Sequence, residues 1–322
     1  MNLPEFLQNK IELELAKVPL KEIQSAYDDL SHAYRKNREN IHLSLNSHEK
    51  RLAYLAARMP ATYAAVCSVL QQLENESICE SLLDVGAGSG TAAFAACELF
   101  ESLNKVTAVE RNSEMIKIGV GLAGEHSVLK NTHWINADML APSLQFPRAD
   151  LVILSYALNE ILPKEQEELI LKLWNATNKY LVIVEPGSKD SFQLLHSIRS
   201  LFIPRGHTIL APCPHANICP AFVENDFCHF SARVQRTSFH KFLKHGERGF
   251  EDEKFSYLIF TKIPKQNYEA RVVRRPALRP GLVTLKLCTE NGFTTKSCGK
   301  KNKEFYKIFK NSEWGDKIQV LE

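Results

Sequence analysis

A glycine-rich segment near residue 85 has the residue types and spacing of a ligand-binding turn. An apolar run ends in an acid, glycines alternate with small residues and an apolar helix follows, in the order Leu82-Leu83-Asp84-Val85-Gly86-Ala87-Gly88-Ser89-Gly90-Thr91. Glycine allows positive φ angles and lets a ligand approach the main chain, and free N–H groups at a helix start favour polar or anionic ligand groups. The segment predicts a ligand site between a strand and a helix. The alternative is a tight turn that binds nothing.

Three acids at the ends of predicted strands extend this site. Asp84 ends the first strand, Glu110 ends the second, 20 residues beyond Gly90, and Asp138 follows the third. The pattern departs from the dinucleotide fingerprint G-x-G-x-x-G and looks like the first motif of Rossmann-like S-adenosylmethionine (SAM) methyltransferases. We expect Asp84 to anchor the turn or bind the methionine ammonium, Glu110 to accept both ribose hydroxyls and Asp138 to accept from the adenine amine. The predicted SAM-binding residues are Asp84, Gly86, Gly88, Gly90, Glu110 and Asp138.

The second candidate site is a loop rich in cysteine, proline and aromatic residues. Cys213, Cys219 and Cys228 stand at spacings C-x5-C and C-x8-C, which differ from the C-x2–4-C knuckle of common zinc sites. Thiolates are soft ligands that suit zinc or iron–sulfur clusters, so a metal centre is predicted with a fourth ligand from elsewhere. The candidates for it are Cys288, at the end of a predicted strand over 282–288, and Cys298, His215 and His229.

Other roles for these cysteines remain open at this stage. The three loop cysteines could be unrelated buried or free thiols. Cys213 could also be the nucleophile of a C5-pyrimidine methyltransferase, although it follows the fifth predicted strand and not the fourth. The remaining cysteines lie in apolar surroundings and are predicted to be core residues: Cys67, Cys79 and Cys97.

The segment after the fourth predicted strand is where methyltransferases place groups that face the methyl acceptor. It reads Ser155-Tyr156-Ala157-Leu158-Asn159-Glu160 and lacks the Asn/Asp-Pro-Pro-aromatic motif that amine methyltransferases often carry. Asn159 and Glu160 are the candidate catalytic residues, and a role at a helix start is the alternative for both. The sequence therefore predicts a cofactor site without a strong acceptor motif.

The elements that position these residues alternate between strands and helices from residue 81 onward. Strands are predicted over 105–109, 132–135, 150–155 and 180–184, and helices over 113–121, 164–175 and 190–202. This βαβ succession implies a mostly parallel sheet with right-handed crossovers. Before it, Pro19 and Ser47 are predicted to open helices, and Pro60 to interrupt one.

The predicted fold class is therefore α/β, a Rossmann-like SAM-dependent methyltransferase fold with appendages. We divide the chain into an N-terminal helical region (1–75), a SAM-binding domain (76–202 plus 251–264), a cysteine-rich insertion that would hold the metal centre (203–250) and a basic C-terminal β region (265–322). A length of 322 residues suits one large domain with such additions.

Composition and charge narrow the class of protein and its partners. With 44% hydrophobic and 24% charged residues and no apolar run near the ~20 residues of a membrane span, we expect a soluble protein that does not enter a membrane. No signal or transit peptide is recognised, so the cytoplasm is predicted, and we expect a monomer.

Residues 265–322 carry 13 Lys and Arg against 6 Asp and Glu, which leaves the rest of the chain with a net charge of −4. Basic residues interleaved with aromatics favour an RNA partner, with a solvated basic face as the alternative.

Taken together, these residues resemble the family of methyltransferase-like protein seventeen, the methyltransferase-like assembly factor of the mitochondrial small ribosomal subunit, and its bacterial relatives. The resemblance is carried by the glycine segment and by Arg58-Met59-Pro60-Ala61-Thr62-Tyr63, Glu185-Pro186-Gly187, Ala211-Pro212-Cys213-Pro214-His215, Cys219-Pro220, Glu253-Lys254-Phe255-Ser256-Tyr257 and Trp314-Gly315-Asp316. It implies SAM binding, action on the small ribosomal subunit and a [4Fe–4S] cluster. The implied cluster ligands are Cys213, Cys219, Cys228 and Cys288.

Two classes of function follow from the residues and the resemblance. In the first, the protein is a ribosomal RNA methyltransferase that uses SAM and carries a structural cluster. In the second, it is a non-catalytic assembly factor that docks on small-subunit RNA. The missing acceptor motif favours the second, and the intact glycine segment with Glu110 favours the first. A small-molecule SAM methyltransferase is a third possibility.

Overall fold

The computed structural model describes residues 2–36, 45–73, 78–244 and 247–319. The chain folds as two units, each made of two segments. The first comprises Met1–Glu185 and Ala232–Glu253, and the second comprises Pro186–Ser231 and Lys254–Glu322. The four regions predicted from the sequence divide the chain differently and stay a prediction.

Helices open the first unit because apolar residues recur three and four positions apart. They are α1 (Glu5–Leu15), α2 (Leu20–Lys36), α3 (His48–Ala57) and α4 (Met59–Leu70). The Ser47 side chain accepts a hydrogen bond from the Lys50 N–H at 3.3 Å and caps α3. α2 begins directly after Pro19, and Pro60 lies in the first turn of α4, where proline is tolerated. The predicted helix starts and the interruption at Pro60 are confirmed.

A parallel sheet forms the core of the first unit. Its strands are β1 (Ser81–Val85), β2 (Lys105–Glu110), β3 (His133–Asn136), β4 (Ala149–Ser155) and β5 (Thr177–Pro186). They lie in the order β3-β2-β1-β4-β5, with every neighbouring pair parallel. In the central strand β1, Leu82 to Val85 are buried, as expected for a strand covered on both faces.

Helices cross between these strands. They are α5 (Thr91–Leu99), α6 (Ser113–Ala123) and α7 (Pro163–Ala176). Because each strand points the same way, the carboxyl ends of β1 to β5 meet at one edge of the sheet, which is where such folds bind ligands. The predicted Rossmann-like α/β fold with N-terminal helices is confirmed.

The second unit contains its own helices and an antiparallel sheet. Its elements are α8 (Lys189–Phe202), β6 (Thr208–Ala211), α9 (Pro220–Val223), β9 (Ala270–Val272), β10 (Ala277–Arg279), β11 (Leu282–Thr289), β12 (Gly292–Gly299), α11 (Lys303–Asn311) and β13 (Lys317–Ile318). β7 (Phe230–Gln235), α10 (Ser238–Leu243) and β8 (Phe250–Thr261) complete the chain; α10 belongs to the first unit, and both strands cross a unit boundary.

The C-terminal sheet has the strand order β10-β11-β9-β13, with β12 also paired to β11. Val283, Leu285 and Leu287 alternate along β11 and pack with Phe309 of α11 in one apolar core. The predicted C-terminal β region is confirmed. Across the described ranges, no helix is long and apolar enough to span a membrane.

Candidate functional site

The glycine turn, Gly86 to Gly90, joins β1 to α5 at the carboxyl edge of the parallel sheet. Gly86, Gly88 and Gly90 have φ angles of 67°, 56° and 83°, in the left-handed region that favours glycine. The N–H groups of Gly86 and Ala87 donate to the Val109 carbonyl at 2.9 and 3.1 Å. The turn is therefore fastened to β2, and the alternation of glycines has a backbone cause.

Close packing explains one of these glycines further. A Cβ at position 86 would lie 2.8 Å from the Cβ of Ala157, so no side chain fits there. A Cβ at position 88 would make ordinary van der Waals contact with the Met115 Cε and the Tyr54 hydroxyl, both at 3.8 Å. At Gly88 the positive φ of 56°, and not close packing, is therefore what favours glycine.

Glu110 ends β2 beside this turn. Its Oε2 accepts a hydrogen bond from the Gly88 N–H at 2.8 Å, and its Oε1 accepts one from the Asn112 N–H at 2.7 Å. Each carboxylate oxygen retains a further lone pair for a ligand hydroxyl. The sequence predicted a ribose contact for Glu110, and the structure adds that the same carboxylate holds the glycine turn in place.

Asp84 is buried in β1 and lies just before the turn. Its side chain is 0% exposed, and among the described residues neither carboxylate oxygen has a hydrogen-bond partner. Burial raises the pKa of Asp84 to about 7. Because a buried carboxylate without a partner is unfavourable, its position suits a cationic or hydrogen-bonding group brought by a ligand.

The buried carboxyl of Asp84 predicts a pH-dependent stability of the ligand-free protein. Between its unfolded value near 3.8 and about 7, the native state binds the proton more tightly than the unfolded state, so the free energy of unfolding falls as pH rises. We expect this carboxyl to contribute a loss of up to about 4 kcal/mol over that range. Denaturant unfolding of Asp84→Asn at pH 5, 6, 7 and 8 should show a shallower decline than the wild type. The exposed Glu101→Gln is the control, and an unchanged slope in Asp84→Asn would contradict the assignment.

Asp138 lies in the loop after β3 and is half-exposed. Its Oδ1 accepts a hydrogen bond from the Leu140 N–H at 2.9 Å, and its Oδ2 lies 3.7 Å from Arg111 Nη1. Asp138 lies at the same edge of the sheet as Asp84 and Glu110, since all three are at or just beyond the carboxyl ends of parallel strands. The predicted contact with an adenine amine stays a prediction.

The segment after β4 is organised by a buried carboxyl that the sequence reasoning did not assign. Glu185, at the end of β5, is 0% exposed, and its Oε1 accepts a hydrogen bond from the Leu158 N–H at 2.9 Å. Burial raises the pKa of Glu185 to about 8. Tyr156 has a positive φ of 55°, and its hydroxyl donates to Glu253 Oε1 at 3.2 Å. These two carboxylates therefore hold the loop after β4 in place.

The two candidate catalytic residues lie in the short helical turn that ends this loop. Asn159 and Glu160 belong to the 3-10 turn Leu158–Glu160, and both are half-buried. Burial raises the pKa of Glu160 to about 8, while Arg111 opposes and Glu110 adds to the rise. Glu160 therefore keeps its proton to a higher pH than an exposed carboxyl does, and it lies within electrostatic range of Glu110. Their catalytic role stays a prediction.

A cavity in the second unit brings together the four predicted cluster ligands. Its lining includes Cys213, Cys219, Cys228 and Cys288, and we call it the cysteine cavity. Cys219 and Cys228 also pack in one apolar core with Phe192 and Phe293. Within the described part of the chain, no three His, Cys, Asp or Glu side chains are arranged to hold a single metal ion. An iron–sulfur cluster attaches its thiolates to several irons, so its donors need not meet at one point.

The structure separates the candidates for the fourth ligand. Cys288 lies in β11 opposite Phe293, and both line the cavity. Cys298 lies opposite Val283 and packs in the C-terminal apolar core. His215 also lines the cavity, with its Nε2 3.6 Å from Cys288 Sγ. His229, the remaining candidate, stacks its ring on Phe227 and meets Trp314 edge-on.

The thiols of the cysteine cavity share one electrostatic environment. Burial raises the pKa of Cys219, Cys228 and Cys288, and the neighbouring cavity thiols raise each of them further. Cys213 contributes to all three of these shifts. Thiols that lie this close together are a donor set for a cation or a cationic cluster, because a bound cation favours the thiolate form.

Comparison with known proteins identifies the family. A family model described as Mitochondrial small ribosomal subunit Rsm22 matches residues 48–319, most of the chain and parts of both units. The chain belongs to the Rsm22 family. The predicted kinship with methyltransferase-like small-subunit assembly factors is therefore confirmed.

Two curated relatives of this Rsm22-family chain are mitochondrial proteins by name. Human "Ribosome assembly protein METTL17, mitochondrial" is 27% identical over 294 residues, which cover 84% of this chain and 62% of METTL17. "Rsm22-cox11 tandem protein 2, mitochondrial" of Schizosaccharomyces pombe is 25% identical over 324 residues, which cover 82% of this chain and 42% of that protein. The chain thus spans less than two thirds of either relative. The cytoplasmic location stays a prediction.

Among solved structures, a similar chain is magnesium protoporphyrin IX methyltransferase from Synechocystis PCC 6803 with bound SAM. It is 15% identical, the TM-score is 0.41, and the match covers 67% of the Rsm22-family chain and 83% of that enzyme.

Three buried charged residues of this Rsm22-family chain were not assigned to either site from the sequence. Glu185 had the signal that identified Asp84 and Glu110, an acid at the end of a predicted strand. Arg271 was counted with the basic tail as an RNA-contacting residue, but it is 1% exposed and lines the cysteine cavity. Arg199, on the inner face of α8, had no sequence signal other than its helical position.

Proposed function

We propose that this chain is an assembly factor of the small ribosomal subunit that binds SAM in its first unit and a [4Fe–4S] cluster in its second. The family match over residues 48–319 carries the proposal, because it includes both candidate sites. Catalytic methyl transfer is not part of it, since the loop after β4 offers no recognised acceptor motif and is held by the internal contacts of Glu185 and Tyr156. The small subunit and its ribosomal RNA are the proposed partners.

The residues of the glycine turn fit SAM. The buried Asp84 lacks a partner within the described ranges and suits the methionine ammonium, and Glu110 is held at the turn with lone pairs left for ribose hydroxyls. The missing side chain at Gly88 would let a ligand group approach the main chain of the turn. Bound SAM would supply an activated methyl group, and these residues would bind and orient it.

The cysteine cavity fits an iron–sulfur cluster by its donor chemistry. Four thiols line one cavity that is otherwise largely apolar, and the Ser256 hydroxyl donates to the Cys228 carbonyl at 2.8 Å, which orders the backbone beside one donor. The cluster would be held by Cys213, Cys219, Cys228 and Cys288. With four protein thiolates on a four-iron cluster, no iron site is left open, so its proposed role is structural.

A basic face of the second unit is the proposed RNA contact. It consists of exposed side chains on β10, on the turn after β12 and on α11: Arg279, Lys300, Lys301, Lys303, Lys307 and Lys310. Phe305 and Tyr306 of α11 are half-buried and pack against the C-terminal apolar core. Cationic side chains bind phosphates and aromatic rings stack on bases, so this combination suits single-stranded or looped RNA.

Neutralising the basic face tests the proposed partner. We expect the variant with Arg279, Lys300, Lys301 and Lys303 changed to Gln to bind isolated small-subunit precursors at least tenfold more weakly, with a shallower salt dependence of the binding constant. The measurement is co-sedimentation with the precursor at several salt concentrations. A variant with Lys105, Lys130 and Lys164 changed to Gln removes exposed lysines from the first unit and is the control.

Three results would count against the proposal. Equal binding by both variants would exclude the basic face as the contact. No binding by the wild type would reject the small subunit as partner. Methyl transfer from labelled SAM into the RNA of the same complexes would replace the assembly role with the methyltransferase alternative.

A further inference from the structure

Two buried arginines line the cysteine cavity. Arg199, on α8, is 6% exposed, and Arg271, on β9, is 1% exposed. Removing a guanidinium from water is costly unless an anion or a full set of hydrogen bonds compensates it. The partners of these two side chains therefore show what the cavity is built to receive.

Arg199 holds the loop between two of the thiols. Its Nη2 donates to the carbonyl of His215 at 3.2 Å and to that of Asn217 at 2.6 Å. Its Nε is buried and has no hydrogen-bond partner among the described residues. The acceptors of Arg199 are neutral carbonyl groups, so they leave its charge uncompensated.

Arg271 holds the residue that precedes Cys213. Its Nε donates to the Pro212 carbonyl at 2.8 Å, its Nη1 to the Gly315 carbonyl at 2.6 Å and its Nη2 to the Tyr268 hydroxyl at 2.6 Å. These three acceptors are neutral. Arg271 thus brings a positive charge to the wall of the cavity at the base of the cysteine loop.

Both guanidinium groups line the same cavity as the four thiols. The neighbouring Arg274 pairs with the carboxylate of Asp226, which Lys286 also approaches at 3.7 Å.

We propose that Arg199 and Arg271 are the counter-charges of the cysteine cavity, two buried guanidinium groups that balance a dianionic metal–thiolate centre and position the loop that carries Cys213 and Cys219. This role rests on the proposed cluster. An oxidised [4Fe–4S] core carries two positive charges and its four thiolates carry four negative ones, so the centre is a dianion. The two guanidinium groups match that charge, and the apolar remainder of the cavity keeps the attraction strong.

The charges of Arg199 and Arg271 also determine the direction in which the midpoint potential of the cluster shifts. One-electron reduction of the core, with the electron supplied by an electrode, adds a negative charge to the centre. Nearby positive charges stabilise the reduced state more than the oxidised one. Removing either guanidinium therefore lowers the midpoint potential, and removing both leaves the dianion without compensation.

The experiment compares charge-removing and charge-retaining variants. Wild type, Arg199→Gln, Arg271→Gln, the double Gln variant and the corresponding Lys variants are purified without oxygen. Iron and sulfide are then measured per chain, and the midpoint potential is measured by voltammetry. Arg205→Gln removes an exposed arginine just beyond the end of α8 and is the matched control. Circular dichroism and the thermal unfolding midpoint show whether each variant folds.

We expect each single Gln variant to have a lower potential than the wild type, and the double Gln variant to lose most of its iron and sulfide. The Lys variants should retain iron, and Arg205→Gln should match the wild type. Wild-type iron content and potential in the double Gln variant would overturn the inference and leave the proposed function standing. Loss of iron in the Lys variants as complete as in the Gln variants would show that shape, and not charge, is what the arginines supply. A wild type without iron would reject the proposed cluster itself.

Discussion

Cys213→Ser and Cys288→Ser should purify without iron and sulfide, whereas Cys298→Ser should retain both. The reason is their placement: Cys213 and Cys288 line the cysteine cavity, and Cys298 packs in the C-terminal apolar core with Val283 and Leu285. The measurement is iron, acid-labile sulfide and zinc per chain after purification without oxygen, together with the visible absorption spectrum. In the wild type we expect iron and sulfide in near-equal amounts.

The Cys298→Ser variant is a matched control for Cys288→Ser, because each substitution changes one sulfur to oxygen at a buried position of a β-strand. If Cys288→Ser kept the cluster and Cys298→Ser lost it, the assignment of Cys288 as the fourth ligand would be wrong. Zinc alone in the wild type would replace the iron–sulfur proposal with a zinc site. A histidine ligand is tested by His215→Ala, which should keep iron if the four thiols are the complete set.

Glu110→Gln should weaken SAM binding by roughly 10- to 100-fold, the usual size of one lost charge-assisted hydrogen bond. Gln is preferred to Ala here, because its side-chain oxygen can still accept from the Gly88 N–H that holds the turn. Isothermal titration with SAM measures the dissociation constant. Glu114→Gln removes a nearby exposed carboxylate of α6 that pairs with Lys117, and it is the control. Equal affinities in the two variants would show that Glu110 only braces the turn.

The pH dependence of the same titration tests Asp84. The ligand-free carboxyl has a pKa of about 7, raised by burial, and the methionine ammonium would bind its ionised form. Binding then releases one proton, so the dissociation constant should rise about tenfold for each pH unit below 7. Asp84→Asn should bind weakly at every pH, with that dependence removed. A wild-type affinity that stays constant from pH 5 to 8 would contradict an ionic contact at Asp84.

Local patterns predicted the elements of the parallel sheet well. The glycine turn, the cap at Ser47 and the start of α2 after Pro19 follow from backbone chemistry within a few residues, so one stretch of sequence contains the whole cause. The boundaries between the two units were not predicted. They fall within β7 and β8 and at the last residue of β5, because a strand can belong to two packed regions without any change in its own pattern.

The acids of the first site show the limit of this reasoning. Asp84, Glu110 and Asp138 were found because parallel strands end at one edge, which the βαβ order predicts. Glu185 met the same criterion but was given no role, and only the structure showed its carboxyl beneath the loop after β4. Its hydrogen bond to Leu158 joins residues 27 positions apart, and no local pattern contains such a contact.

By itself, the sequence determined which residue types could bind a metal and where the glycine turn lies, since both depend on composition and close neighbours. The tertiary structure alone decided which distant residues meet. In β11, side chains alternate between faces: Val283, Leu285 and Leu287 enter the C-terminal core, so Cys288 points to the opposite face and reaches the cysteine cavity. Cys298, paired opposite Val283, shares that residue's face. Burial likewise placed Arg271 beside the thiols, because its hydrogen-bond acceptors Pro212 and Gly315 lie 59 and 44 positions away in the sequence.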